Sequence, residues 1–594
     1  MNERWIEHTK KADFDLWSRE LDISPLSARL MRNRGITTLE EARLYLYGTM
    51  ADLNDPLSLK GMKEGAALLS EAVRTGVPVA IASDFDDDGI FAGEILYEGI
   101  RTLGGTARLY TPDRVREGYG INRRIIDEAK ADGCRLILTC DNGIAAGPEV
   151  LYAKEQGLKV VVTDHHEVQF TEDASGNRTY LLPDADAVID PKQPGCTYPF
   201  KDLCGAGVAL RLISVLYEEF GVPKEELEKL YEYAAIATVA DVVPLQGENR
   251  IIVKEGLARL RETKKPGLRA LMDACGIEPQ GVDAYHIGFI IGPCFNAAGR
   301  LSGVRPAFDL LHAGSLQDAA PLAESLRALN EERKKMTEDG FREAEAYLAE
   351  RGMNDRILLI ELQDTHESVV GIIAGRLKEK YNRPVIVFTH TEEGLKGSGR
   401  SIPEYHMMNG LMPHKALTKR LGGHAMAAGM TIGTDALEPL REALNSACTL
   451  TEDDLLYKRW IDALVPMSAL SERMIRELEV IGPFGVANVK PVFAMTHFKI
   501  LEMRVIGKNR NSLKMLVADE SGVPRDALYF NEAESMLSWI RETYGEEALS
   551  RAMRGLPNSL DIAFCYYPSV NEYMGQKSIQ IVIQAYCRIA QKRV

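Results

Sequence analysis

The chain has no excess of basic residues: Lys and Arg total 71 against 86 Asp and Glu in 594 residues, a formal net charge of −15. That excludes a histone-like basic coat for nucleic acid, but not a local basic groove. From Pro491 to the end, 13 Lys and Arg stand against 11 Asp and Glu; this local net of +2 leaves −17 on the first 490 residues. No C-x-x-C pair occurs among the nine cysteines (134, 140, 196, 204, 275, 294, 448, 565 and 587). Their odd count and scatter argue against a disulfide framework or a zinc knuckle and suit a reducing cytoplasm. No apolar run approaches the ~18 residues of a membrane span, and the opening MNERWIEHTKK lacks the apolar stretch of a secretory signal. A cytoplasmic protein with no membrane association is therefore expected. Internal repeats and low-complexity tracts are also lacking.

What is present is ordinary globular composition, 45% hydrophobic and 26% charged, with room for about four domains at roughly 150 residues each. Residues 1–75 read as a helical segment: Ser24 precedes the amphipathic PLSARLMRNRG, with Pro25 at the first helical position and Gly35 as a stop. Residues 76–315 change pattern. VPVAIAS (77–83), RLILTC (135–140) and LKVVVTD (158–164) are short apolar strands separated by helical runs, the signature of a parallel sheet. Residues 316–352 read as one long connecting helix. A second α/β pattern occupies 353–450 (RILLIEL, VGIIAGRLKEKY, PVIVFT), and 451–489 reads as a helical linker. From 490 to 594 the periodicity becomes two, in FKILEMRVIG, SLKMLVAD, DIAFCYY and SIQIVIQAYCRIA, which predicts a small β-barrel.

Acids gather at the predicted strand ends, where parallel sheets bind ligands. Asp84, Asp86, Asp87 and Asp88 place four carboxylates in five residues, a repulsion that a hard divalent cation relieves. A calcium EF-hand loop would need an acid at position twelve, where Ile95 stands. Asp141-Asn142-Gly143 follows the second strand and Asp164-His165-His166-Glu167 the third, while Asp241 lies in VADVVPL. Each alone has a bland reading as a turn. Together they suit magnesium or manganese, and a pair of such ions is suited to displacement at phosphorus. A metallopeptidase fits poorly, because H-E-x-x-H is absent and His366-Glu367 is followed by Val370 where the second His would stand. Gly394–Ser401 (GLKGSGRS) nearly matches a phosphate loop, with Arg400 for Lys, but Pro403 impairs the helix that should follow. A Gly-rich loop there, offering backbone N–H, a hydroxyl and a guanidinium, is still expected to suit phosphate. Gly422-Gly423-His424 lets a His approach backbone and substrate. Gly205-Ala206-Gly207 lacks the third Gly of a dinucleotide fingerprint and is read as tight helix packing.

These motifs, in this order, resemble the DHH phosphoesterase superfamily and, within it, the RecJ family of single-strand-specific DNA exonucleases. TPDRVREGYGIN, IDPKQPGCTYPFKDLCGAGVA, TVADVVPLQGENR, GPCFNAAGRL, ALNEERKKM, KGSGRSI, GGHAMAAG and GPFGVAN carry the likeness over nearly the whole chain. The resemblance implies an α/β protein: a parallel-sheet DHH domain, a DHH-associated domain joined by a long helix, and a C-terminal OB-fold. It implies Mn²⁺- or Mg²⁺-dependent, two-ion hydrolysis of single-stranded DNA from the 5′ end to 5′-mononucleotides, serving repair and recombination. By position, Asp84, Asp86, Asp141, His165 and Asp241 resemble metal ligands, with Asp88 in a second tier. His166, with Asp141 and His165, would be catalytic. Arg300 would face phosphates, Arg114, Ser398 and Arg400 would hold a 5′-phosphate, and Tyr119, Asn296 and His424 would line the substrate site. Single-strand-binding protein, a helicase and a monomeric state are family-level expectations. The chain departs from the family pattern at Phe85, Asp87, Cys294, Thr365 and Ser368, so an extra acid is expected beside the metals and one phosphate contact is expected to be missing at Cys294. Two rivals are weighed: a relative acting on short oligonucleotides or cyclic dinucleotides, which would carry His where Ala80 stands, and a metal-free DNA-binding scaffold.

Overall fold

In the computed structural model, residues 3–114, 116–173, 176–573 and 575–588 are described. They group into two compact units, the first built mainly from Asn54–Val243 and Ile252–Tyr457, the second from Trp5–Leu53, Pro244–Ile251 and Lys458–Val594.

The first unit opens on a five-stranded parallel sheet: β1 (Val79–Ser83), β2 (Ala107–Tyr110), β3 (Leu136–Cys140), β4 (Lys159–Thr163) and β5 (Ala187–Ile189), in the order β2-β1-β3-β4-β5. β1 and β3 are buried on both faces, which is why their sequences are continuous apolar runs rather than alternating ones. β2 is part-exposed and β5 has three residues, so neither stands out in the sequence. Ser83 pairs with Cys140 and Cys140 with Thr163, so β1, β3 and β4 end level. The chain winds outward in opposite directions from β1 and β3, and a crevice opens at the carboxyl ends of strands where the order switches. Around the sheet lie α1 (Asp87–Thr102), α2 (Gly205–Phe220), α3 (Tyr231–Ala240) and α4 (Gly292–Leu301).

The predicted connecting helix is present as α5 (Leu316–Arg351), capped by the Ser315 side chain, which accepts from the Asp318 N–H. A second sheet follows: β6 (Leu358–Leu362), α6 (Glu367–Tyr381), β7 (Val385–Thr391), β8 (Gly394–Arg400), β9 (Thr418–Gly423) and β10 (Ala427–Ile432), in the order β9-β10-β8-β7-β6, with β6 and β7 parallel. Here the sequence reading needs correction. The Gly-rich stretch at 394–401 is not a loop. It is strand β8, paired with β7 on one side and β10 on the other, so its backbone N–H groups belong to the sheet. Its glycines lower β-propensity in any local reading, and only the two neighbouring strands reveal it.

In the second unit, β11 (Ala463–Leu464), β12 (Phe493–Ile506), β13 (Ser512–Ala518), β14 (Pro524–Tyr529), β15 (Asp561–Tyr573) and β16 (Gln576–Cys587) run in the order β11-β12-β13-β14-β16-β15, and β12 pairs with β15 to close a five-stranded barrel. Phe493, Phe498, Met503, Phe564 and Tyr566 fill it, sharing one core with Trp17, Leu30 and Met31 of the N-terminal segment. The helix Pro25–Asn33 starts where expected, with Ser24 as its cap. The N-terminal segment is nevertheless divided, because the helix Met62–Thr75 belongs to the first unit. The stretch 451–489, expected to be a helical linker, has its α-helix only at Glu472–Ile481. Tyr457–Ile461 is a strand, and β11 pairs with β12 some 30 residues away, a partner that local periodicity does not see.

Candidate active site

The acids stand where the sheet ends. Asp84 follows β1 and is 1% exposed; Gly120 N–H reaches its Oδ1 at 3.4 Å, while Oδ2 is buried without a hydrogen-bond partner. Asp86 caps α1 through the Gly89 N–H at 3.1 Å. Asp141 follows β3 with φ +60, a left-handed conformation that Asp tolerates better than most side chains. Asn142 bolts this turn in place: its Nδ2 donates to the Ala82 and Cys140 carbonyls at 3.0 and 2.9 Å, and its Oδ1 accepts from Ile121 N–H at 3.1 Å. Asp164, after β4, accepts from the N–H groups of Ile144, His165 and His166 at 2.9, 2.7 and 3.2 Å. Asp241 arrives from the C-terminus of α3.

Three groups result, each with ligand atoms mutually within 4.8 Å: Asp84, Asp86 and Asp141; Asp88, His165 and Asp241; Asp141, His165 and His166. Asp141 and His165 are each shared between two groups. His165 Nε2 lies 3.1 Å from Asp141, 3.5 Å from Asp88 and 3.7 Å from Asp241. Asp88 also caps α2, its carboxylate accepting from the N–H groups of Gly205 and Ala206 at 2.5 and 2.8 Å. This revises the reading of Gly205: a Cβ there would stand 2.7 Å from the Asp141 Cβ, so glycine lets the helix N-terminus reach the acids.

Burial and mutual repulsion push the Asp84 and Asp141 carboxyls well above the usual carboxylate range, and Asp241 is pushed up to about 9 by burial and then Asp88. Burial lowers His165. His166 is the opposite case. Burial alone would lower it, but the Asp164 carboxylate, 2.7 Å from Nδ1, raises it to about 9. An unpartnered buried carboxylate oxygen among like charges, with imidazole nitrogen beside it, fits divalent cations bound through oxygen and nitrogen. In the metal-free protein, Asp164→Asn is expected to bring the His166 titration down toward the ordinary 6.5, read from the ring resonances by NMR. An unmoved titration would remove Asp164 as the cause.

Opposite the acids stand cations. Arg114 lies 4.7 Å over the Phe85 ring, so the aromatic departure at 85 still supports a guanidinium. Arg300 donates to the Ser368 carbonyl at 2.8 Å and is lowered to about 10 by burial, then by Arg114 and Arg333. Arg400 is lowered by burial and then Arg114, and its Nη1 meets Ser398 Oγ at 3.2 Å; two apart on β8, these side chains share a face. The serine and guanidinium expected on a loop thus stand on a strand. Arg333, on α5, is a member that sequence reading missed, since nothing in ALNEERKKM separates it from Lys334 and Lys335. Asp164 was likewise noted only as a strand-end acid.

Other placements differ from expectation. Asp87, fully buried, accepts from Asn296 Nδ2 at 2.6 Å and joins none of the three ligand groups. Cys294 is buried with its Sγ 3.9 Å from Cys275 and 3.5 Å from Asn330 Nδ2, so it faces the helices rather than an anion site. His424 sits at the β9–β10 hairpin turn, its Nδ1 accepting from Met426 N–H. Tyr119 is brought in: its hydroxyl donates to the Asp141 carbonyl at 2.5 Å and lies 3.1 Å from His166 Nδ1.

A switch-point crevice holding clustered carboxylates and paired histidines, faced by guanidiniums, defines a phosphoesterase site of the DHH class. The comparisons agree: residues 78–239 match the DHH family N-terminal domain, 354–450 the DHHA1 domain and 461–585 the RecJ OB domain. The chain is 35% identical to the single-stranded-DNA-specific exonuclease RecJ of Bacillus subtilis, over 98% of this chain and 70% of that one. Against the protein of the same name from Escherichia coli it is 32% identical, over 96% and 99%. It superposes on the crystal structure of Thermus thermophilus RecJ in complex with Mn²⁺ with a TM-score of 0.80 at 26% identity, covering 99% of this chain and 80% of that one. The corresponding Mg²⁺ complex gives 0.75 at 25% identity, covering 100% and 79%. The chain belongs to the RecJ family. Among the described residues no helix is long and apolar enough to cross a membrane.

Proposed function

We propose that this protein is a single-stranded-DNA-specific exonuclease that removes 5′-mononucleotides in the 5′→3′ direction, in the cytoplasm, during repair and recombination. The observation that carries the reading is the sharing of Asp141 and His165 between ligand groups at the switch point, directly before a wall of guanidiniums. Asp84, Asp86, Asp141, His165 and Asp241 would hold two Mn²⁺ or Mg²⁺ ions, with Asp88, which caps α2, in a second tier. Bound there, the ions would supply Lewis-acid polarisation and activation of water.

The chain's own residues do the rest. His166, kept protonated by Asp164, places a positive hydrogen-bond donor near the reacting phosphate, where charge grows in the transition state. Tyr119 orients that ring. Arg300, oriented through the Ser368 carbonyl, meets phosphate oxygens, and Asn296 holds Asp87 aside. Arg114, Ser398 and Arg400 take the terminal 5′-phosphate, and anchoring that end sets the polarity of cleavage. The barrel of the second unit holds single strand by basic and stacking contacts. Association with single-strand-binding protein and a helicase, and action as a monomer, complete the reading.

A single strand labelled at its 3′ end and incubated with Mn²⁺ tests it. Stepwise shortening is expected with a 5′-phosphate and none with a blocked 5′ end. Arg400→Ala is expected to erase most of the preference for 5′-phosphate over 5′-hydroxyl, a loss of about tenfold or more for a charge-assisted contact. Cleavage of dinucleotides but not of long strands would sink the proposal in favour of a small-substrate enzyme.

A further inference from the structure

Upstream of α4 the helix runs without a break from Ala284–His286 through a π-helical turn, Ile287–Ile291, into Gly292–Leu301. Such turns inside helices concentrate at functional sites. Two aromatic residues of this segment, Tyr285 and Phe289, stand in solvent at 60% and 66% exposure, stacked on each other with ring centroids 4.9 Å apart and planes at 26°. Val242, immediately after Asp241, is also exposed, at 63%. Large aromatic side chains left paired in water mark a surface that binds something.

The helix says where this surface lies. Phe289, Asn296 and Arg300 follow one another along this helix, and Asn296 and Arg300, four apart within α4, share a face. Asn296 touches Asp87 of the first acidic motif, and Arg300 faces Arg114 of the proposed 5′-phosphate pocket. Gly292 ties the segment down between them, since a Cβ there would stand 2.7 Å from Asp87 Oδ2 and 3.2 Å from the Ala240 Cβ, beside Asp241. Phe289 lies on the side of Asn296 away from Arg300, seven residues earlier along the helix.

We propose that Tyr285 and Phe289 form a stacking platform for bases of single-stranded DNA on the 3′ side of the scissile phosphodiester. The inference rests on the exonuclease reading above. The order along the helix sets the direction: the 5′-phosphate at the Arg300 end, the reacting phosphodiester near Asn296 and the acids, the following bases over the rings. Every base has a π-face, so the platform grips the strand without reading its sequence. It would hold the strand taut between the anchored end and the rest of the chain and draw the next phosphodiester toward the acids after each cleavage.

The test is binding of fluorescent 12-mers, each with one abasic site at successive positions from the 5′ end, by anisotropy with Mn²⁺ in an Asp141→Asn background. Binding is compared with and without Tyr285→Ala/Phe289→Ala, and with Phe289→Leu, which keeps apolar bulk but loses the π-face. Both rings being exposed, the variants are expected to keep their melting temperature. Intact 12-mer is expected to bind the double-Ala variant about tenfold more weakly, the low end of base–aromatic stacking. An abasic site at one or two positions should cost the parent protein the same factor and the double variant nothing further, and Phe289→Leu should behave like the loss. Abasic profiles that are identical in parent and double variant overturn the platform, and so does full rescue by Leu, which would indicate an apolar protein-docking face. Platform-dependent binding in a protein whose wild type releases no mononucleotide would sink the exonuclease reading and leave the platform standing.

Discussion

Asp141→Asn is expected to lower kcat/KM on single-stranded DNA by at least about 10³-fold, beyond the loss of one oxyanion donor in other enzymes, because Asp141 belongs to two of the three ligand groups. The same substitution should make the metal-free protein more stable. Burial, and then repulsion from Asp88, Asp86, Asp241 and Asp84, holds the Asp141 carboxyl well above the usual range. Asparagine has the same shape and no proton to lose, so the substitution removes the cost of ionising a carboxyl in this buried, acid-lined turn. Opposite signs of the two effects, measured by steady-state kinetics and thermal melting in EDTA, separate a functional carboxylate from a structural one. A falling melting temperature together with falling activity would show instead that Asp141 holds the turn together. A variant with full activity would end the two-ion reading altogether.

Adding Mn²⁺ is expected to raise the melting temperature, and to raise it more at pH 8.5 than at pH 6.5. In the metal-free fold the Asp84, Asp87, Asp141 and Asp241 carboxyls are all raised, Asp241 to about 9, chiefly by burial. A carboxyl raised by folding binds its proton more tightly in the native than in the unfolded state. The stability it contributes is complete below the unfolded value near 4 and drains away as the pH climbs through the folded value. His166, raised to about 9, loses its contribution over the same upper range. The lowered His165 acts only below its ordinary 6.5, outside the window. Metal-free stability should therefore fall from pH 6.5 to 9 through Asp241 and His166, whose folded values both lie near 9. Over that range, ions that need deprotonated ligands bind more tightly and return about 2.7 kcal/mol at a hundredfold excess over Kd. Differential scanning calorimetry with and without Mn²⁺ at the two pH values checks this. A Mn²⁺ shift that shrinks as pH rises would mean the ions do not bind through these carboxyls.

Much of the architecture was legible in the chain because its elements declare themselves locally. β1, β3 and β4 are continuous apolar runs, since a parallel strand covered on both faces has no polar side to show. Each is followed by an acid, and that coincidence places Asp84, Asp141 and Asp164 at one sheet edge from the sequence alone. α5 declared itself by length and composition, and the barrel by its period of two. Less legible were elements whose identity depends on a distant partner. Gly394–Arg400 is a strand because β7 and β10 flank it; β11 is one because β12 lies beside it.

The amino-acid sequence by itself determined which residues carry the chemistry: carboxylates and imidazoles at strand ends, guanidiniums and a serine in the later motifs. Charge, hydrogen-bonding capacity and backbone preference belong to the residue and travel with it. Only the tertiary structure decided which of them meet. It turned Asp87 toward Asn296 and away from the ligand groups, and Cys294 into the helices; it left His424 at a hairpin turn and brought Arg333 in from α5. It also raised the carboxyls and His166 far from their ordinary values. Burial and a neighbour a few ångströms away set those shifts, and neither quantity exists until the chain has folded.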